Sequence, residues 1–293
     1  MPFRRFQQPP RALLVALLLI TGCRGMLEPG TRNETSILLA AGDIAGCSTL
    51  GDEATAALLD TLPGTIAALG DNAYESGTAE EYAQCYAPTW GRHRYRTRPT
   101  PGNHEYATPG AAPYYAYFGA AAGPVGLGWY SYELGSWHMV VLNSEVARDS
   151  SSAQLAWLRA DLAASHARCT MAYWHRPRFS SSTHGPAADL APLWQALYDG
   201  GAEVVLSGHD HTYERFAPQT ALGAADTARG IRQFIAGTGG RGLYPFKTPQ
   251  TNSEARFNAA LGILRFELHP TGYRWKFIPV SGAVPDSGSA ACH

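Results

Sequence analysis

The apolar run Val204-Val205-Leu206 stops at Ser207-Gly208 and leads straight into His209-Asp210-His211. A run that short and that apolar, closed by glycine, predicts a buried strand with a tight turn after it. Residues two apart in extended chain point to the same side, roughly 6–7 Å apart at about 3.3 Å per residue. That separation suits a pair of metal ions about 3.5–4 Å apart, each taking one imidazole. A lone His-x-His is a weak signal, but the arrangement recurs upstream. Ile37 to Ala41 ends in Gly42-Asp43, Thr65 to Leu69 ends in Gly70-Asp71-Asn72-Ala73-Tyr74, and Cys169 to Trp174 runs into His175. Pro101-Gly102-Asn103-His104-Glu105 adds a further turn after a less apolar stretch. Polar residues just past the ends of buried strands mark the sheet edge where sites assemble in α/β folds.

The rest of the pattern agrees with that class. Leu58, Leu59 and Leu62 fit a helix after the first strand, Glu80 to Tyr86 reads as helical, and Leu155, Leu158 and Leu162 give an amphipathic helix over 152–165. Leu190 to Tyr198 is a further helix, and Trp129 to Leu134 pairs with Trp137 to Leu142 across Gly135-Ser136. Arginines at 92, 94, 96 and 98 alternate as on a strand with one charged face. Residues 107–127, rich in Ala, Gly, Pro and Tyr, read as a surface excursion. Strands dominate the last third: Ile231 to Ala236, Gly262 to Leu268 and Tyr273 to Val280. Central sheets with outer helices in one α/β domain, residues 36–280, follow from this order. Residues 281–293 read as a loose tail unless Cys292 ties them down. With 45% hydrophobic and 16% charged residues and a net charge of −1, the chain has ample core and gives no reason to expect nucleic acid as a partner.

The N-terminus is separate from the fold. Arg4, Arg5 and Arg11 precede an apolar stretch from Leu13 to Ile20 that is too short to span a bilayer as an ordinary helix. It ends in Ile20-Thr21-Gly22-Cys23, which resembles the cleavage site of bacterial lipoproteins. Residues 1–22 are then an export signal, Cys23 carries the lipid, and residues 23–35 form a tether. A plain secretory peptide cut elsewhere is the alternative. The expectation is an exported protein of the bacterial cell envelope, meeting the membrane only through its anchor. An oxidising compartment allows the other four cysteines to pair. Cys47 follows the first motif and Cys85 the second, which favours a Cys47–Cys85 bridge and leaves Cys169 with Cys292.

Asp43, Asp71, Tyr74, Asn103, His104, His175, His209 and His211 supply hard oxygens and imidazoles without a thiolate, a set suited to iron, zinc or manganese at two adjacent positions. In order and spacing these motifs resemble the calcineurin-like metallophosphoesterases, and within them the purple acid phosphatases. The resemblance implies a four-layer αββα sandwich and a dinuclear centre. Asp71 would bridge; Asp43, Tyr74 and His211 would complete one site, and Asn103, His175 and His209 the other. Other branches place a histidine two residues after the first aspartate, where this chain has Ala45; Tyr74 is the substitute in the purple branch. A phenol with a reference pKa near 10 binds as phenolate only to a strongly polarising ion, so Fe³⁺ is expected with Zn²⁺, Mn²⁺ or Fe²⁺ beside it. Plant-type relatives carry an extra N-terminal β domain for which the short tether leaves no room.

The activity so implied is hydrolysis of small phosphate monoesters, with hydroxide generated from water on the metals attacking phosphorus. His104 is the expected general acid, with orientation of Asn103 as its alternative role. His184, nine residues after His175, matches a substrate-facing histidine of the purple branch. Arg176 and Arg178 face two readings, phosphate binding or surface pairing. Rival functions are a phosphodiesterase or nucleotidase of the same superfamily, and a surface-binding lipoprotein that has lost catalysis.

Overall fold

A computed structural model describes residues 1–3 and 35–293. Cys23, the export signal and most of the tether lie outside the described residues. Two sheets face each other. The first has six strands in the spatial order Ser287–Ala291, Gly272–Pro279, Gly262–His269, Ser36–Ala41, Thr65–Leu69 and Thr97–Thr100. The second has seven, in the order Ser253–Phe257, Tyr213–Phe216, Arg232–Ala236, Val204–Ser207, Cys169–Tyr173, Trp137–Val141 and Tyr130–Leu134.

Alternation along each buried strand assigns its side chains to two different cores. Leu38 and Ala40 point between the sheets with Trp137, Met139, Met171, Val204, Leu206 and Phe266. Their neighbours Leu39 and Ala41 point outward against Ala56 and Leu59 of the helix Gly51–Thr61. On the second sheet Val140, Ala172 and Val205 point outward against Leu155 and Leu158 of Ala153–Ala164 and against Leu193, Trp194 and Leu197 of Ala191–Asp199. Strands buried on both faces read as unbroken apolar runs for this reason. The result is the α/β sandwich, helix on sheet on sheet on helix. Each fully buried Leu or Val contributes about 1.5–3 kcal/mol.

The parallel strands carry the site. Ser36–Ala41, Thr65–Leu69 and Thr97–Thr100 run parallel in the first sheet, and Trp137–Val141, Cys169–Tyr173, Val204–Ser207 and Arg232–Ala236 in the second. Residues 42–43, 70–74, 101–104, 142–145, 174–175 and 208–211 therefore all follow C-terminal strand ends.

Two expectations need correction. The arginine alternation is not a strand: Trp90–Arg96 is a 3-10 helix, and only Arg98 lies on Thr97–Thr100. Arg92 pairs with Glu53 and Asp60, Arg94 covers Tyr117, and Arg96 donates to the carbonyls of Leu59, Leu62 and Gly64. Three separate tasks produced the period of two. Residues 107–127 are a surface excursion only in part: residues 124–127 are exposed, but Tyr114, Tyr115 and Phe118 of Ala112–Phe118 are buried against Tyr82 and Tyr86. Cys292 ties residues 281–293 down, the alternative expected for them. Ser287–Ala291 pairs antiparallel with Gly272–Pro279, and Cys292 bonds to Cys169. The Cys47–Cys85 bridge is also formed.

His138, which lacks any motif, is structural. Its side chain, 6% exposed, sits 2.8 Å from Glu133 and 2.7 Å from Asp161. Burial lowers its pKa, but the hydrogen bonds and charges of the two carboxylates override this and raise it above 6.5. A histidine with a raised folded-state pKa contributes stability that is complete below the unfolded value and lost as pH climbs through the folded one. His138→Gln should therefore lower the melting temperature more at pH 6 than at pH 9. Equal losses at both pH values in thermal scans would mean that the pair carries no charge.

Candidate metal centre

Seven side chains from five turns meet at one place. The Tyr74 hydroxyl lies 2.9 Å from Asp43 Oδ1, 3.1 Å from Asp71 Oδ2 and 3.3 Å from His211 Nε2. On the other side, His175 Nε2 lies 3.1 Å from Asp71 Oδ2, 3.2 Å from Asn103 Oδ1 and 3.2 Å from His209 Nδ1. Asp71 Oδ2 thus stands between two triads, Asp43–Tyr74–His211 and Asn103–His175–His209. Ligand atoms of Asp71, His175 and His209 all fall within 4.8 Å of one another.

Local backbone holds these groups. Asp43, Asp71 and His209 adopt φ of 61°, 49° and 68°, left-handed conformations that cost non-glycine residues about 1–3 kcal/mol each and cluster at functional sites. Gly102 is required for close approach: a Cβ there would lie 2.2 Å from Asp71 Oδ1. His175 directs its Nδ1 at the Leu69 carbonyl (2.9 Å) and His211 its Nδ1 at the Gly242 carbonyl (2.8 Å). Each ring so placed presents Nε2 to the centre.

Charge shows what the cluster lacks. Asp43 and Asp71 are buried, and buried carboxylates call for positive charge beside them. Burial alone would lower the pKa of His175, but Asp71 overrides it and drives the value up to about 10. His209 is pushed down to about 2 by burial and by the neighbouring His175. Burial, with Asp43 and Asp71 beside it, holds the Tyr74 phenol well above its usual pKa. The Asp71 carboxylate thus favours positive charge at this place. The donor set, oxygens and imidazoles without sulfur, fits hard or borderline cations.

The calcineurin-like phosphoesterase family model matches residues 32–213, the segment that carries all seven side chains. The chain belongs to the calcineurin-like phosphoesterase family. Purple acid phosphatase 15 of Arabidopsis thaliana is 38% identical over 93 residues, which is 30% of this chain and 18% of that protein. Acid phosphatase type 7 of Danio rerio is 31% identical over 151 residues, 40% of this chain and 33% of that protein. The chain therefore spans only a fifth to a third of the length of these relatives. Its fold is similar to that of purple acid phosphatase PPD1 from yellow lupin (Lupinus luteus) seeds, with a TM-score of 0.76 at 15% identity over 88% of this chain and 54% of that one. These relatives put the similarity in the purple acid phosphatase branch of the calcineurin-like phosphoesterases. Ala45, where other branches of the family place a histidine, is buried and paired with Ala73.

Both histidines expected to act on substrate border the cluster. The His104 amide donates to Asp71 Oδ1 (2.9 Å), its Nδ1 lies 2.6 Å from the Glu75 carbonyl, and its Nε2 faces Asp71 Oδ2 at 3.8 Å. His184 is exposed and stacks on His209 with ring centroids 4.3 Å apart. Its amide donates to Asp210 Oδ1 at 2.9 Å. Arg176 holds Glu145 at 3.0 Å and reaches to 3.3 Å from His209, on the rim of the centre. Arg178 is turned away, donating to the Ala221 carbonyl and lying over Phe179.

Other residues of the site escaped the sequence reading. Glu105 is fully buried, and its carboxylate accepts from the amides of Asp71, Asn72, Ala73 and Gly102 and from the Tyr82 hydroxyl. It ties the Asp71 turn to the Asn103 turn. Burial and the nearby Asp71 charge push its pKa up to about 7. Tyr244 stacks on His211 at 4.0 Å, and its amide donates to the His211 carbonyl. Glu105 stood in a quoted motif without a role; Tyr244, in an irregular glycine-rich stretch, had no period to betray it.

Proposed function

We propose that this chain is a metal-dependent phosphatase that hydrolyses phosphate monoesters of small molecules. The observation that carries this reading is the placement of Asp71 Oδ2 between two triads of oxygen and imidazole donors. Asp43, Tyr74 and His211 would hold Fe³⁺, and Asn103, His175 and His209 a divalent ion (Zn²⁺, Mn²⁺ or Fe²⁺), with Asp71 common to both. Bound there, the pair supplies Lewis-acid contacts to phosphate oxygens and lowers the pKa of the attacking water.

The protein's own groups do the rest. His104 is fixed through Nδ1 to the Glu75 carbonyl, which leaves Nε2 free at the mouth of the centre. From there it protonates the departing alkoxide. His184 and Arg176 flank His209 on the open side and offer hydrogen bonds and charge to the phosphoryl oxygens. Asp210 holds the His184 loop by accepting from the His184 amide and the Ser180 hydroxyl.

The protein is proposed to act outside the cytoplasm, tethered through Cys23. Two disulfides, which persist in oxidising compartments, support export, and Ile20-Thr21-Gly22-Cys23 supports lipidation. The mass of the N-terminal peptide of membrane-extracted protein tests the anchor. For the activity, hydrolysis of an aryl phosphomonoester is compared with that of the matching diester. A higher kcat/KM on the monoester is expected; preference for the diester would turn the reading toward a phosphodiesterase.

A further inference from the structure

Two groups pack on the ring of Tyr74. His104 lies against it with ring centroids 4.3 Å apart, tilted by 50°. Arg241 lies over the ring, its guanidinium carbon 4.3 Å from the centroid. This placement is built into the backbone. The Arg241 amide donates to the Asp43 carbonyl at 3.0 Å, which ties its position to the same turn that supplies Asp43. In the short parallel pair Ala45–Gly46 with Ala73–Tyr74, Gly46 is the register partner of Tyr74. Gly46 has no side chain, and a Cβ there would lie 2.7 Å from Arg241 Nη1. The guanidinium thus occupies a slot that any other residue at 46 would narrow. Exposed Glu75 steadies its outer edge at 2.9 Å.

We propose that Arg241 is an electronic partner of Tyr74: its guanidinium, seated over the ring in the slot left by Gly46, stabilises the phenolate that Tyr74 presents to a ferric ion. This rests on the reading of Tyr74 as a ligand. A cation over a neutral phenol is attracted by the ring quadrupole. When the phenol oxygen becomes anionic, negative charge spreads into the ring and the attraction becomes charge on charge. Arg241 thus stabilises negative charge on the oxygen and ring through its seat over the ring. It is a positioning residue, acting through Tyr74.

Holding electrons more tightly on the phenolate raises the energy needed to transfer one to iron. Removing the cation should move the phenolate-to-iron absorption to longer wavelength. The test loads wild type, Tyr74→Phe, Arg241→Gln, Arg241→Lys and Gly46→Ala with iron and records visible spectra. Wild type is expected to absorb and Tyr74→Phe to lose the band. Arg241→Gln should shift it to longer wavelength, Arg241→Lys should restore most of the wild-type position, and Gly46→Ala should shift it in the same sense as Arg241→Gln by displacing the guanidinium. A wild-type band position in both Arg241→Gln and Gly46→Ala overturns the inference while leaving Tyr74 as ligand intact. Identical spectra for wild type and Tyr74→Phe overturn the ligand reading itself. Should Arg241→Gln fail to fold, Gly46→Ala alone decides.

Discussion

Asp71→Asn is expected to yield a folded protein that retains less than one metal per chain and hydrolyses aryl phosphates at background rate. The substitution keeps shape and keeps an oxygen that accepts from the His104 amide, a bond of 2.9 Å in the wild type. What it removes is the charge at Oδ2, the atom that stands 3.1 Å from both the Tyr74 hydroxyl and His175 Nε2. Partners that merely orient a ligand are worth about 10–100-fold in metal affinity, so a carboxylate common to both halves must be worth more. Metal analysis and turnover on the same sample check this. Two retained metals with lost turnover would make Asp71 a positioning group only.

His104→Ala should behave in the opposite way, holding both metals while kcat falls by about 10²–10⁴, the usual worth of a positioned proton donor. Its side chain is 31% exposed and borders the centre without belonging to either triad. With Nδ1 committed to the Glu75 carbonyl at 2.6 Å, Nε2 donates a proton only when the ring is imidazolium. Leaving-group chemistry sharpens the test. An alkyl phosphate, whose alkoxide needs the proton, should lose far more rate than a nitrophenyl phosphate, whose phenolate leaves unaided. Equal losses on the two substrates would reassign His104 to orienting the Asp71 turn.

How much of this was legible beforehand follows from which forces leave a period in sequence. Strands buried on both faces must be apolar throughout, so Ile37 to Ala41, Thr65 to Leu69 and Val204 to Leu206 were readable. The polar residues at their ends were readable as a consequence. The tyrosines at 114, 115 and 117 were not, because the small residues around them mask helical spacing on a segment whose burial depends on Tyr82 and Tyr86. The alternating arginines misled because a period of two arose from three unrelated contacts. Residues 281–293 are small and polar because an edge strand beside Gly272–Pro279 needs backbone pairing more than side-chain burial. At the centre, residues whose chemistry fits a cation stood out by type. Glu105, Arg241 and Tyr244 act on those residues rather than on a ligand, and contacts of that kind exist only once the turns have come together.

The central claim is that two cations fill the space around Asp71 Oδ2 and that hydrolysis depends on both. The measurement closest to it strips the purified protein of metal, adds back iron and a divalent ion in steps, and follows metal content alongside phosphomonoester turnover. Activity should be absent in the stripped protein and recover in full as content reaches two metals per chain. Full turnover at zero or one metal per chain would contradict it.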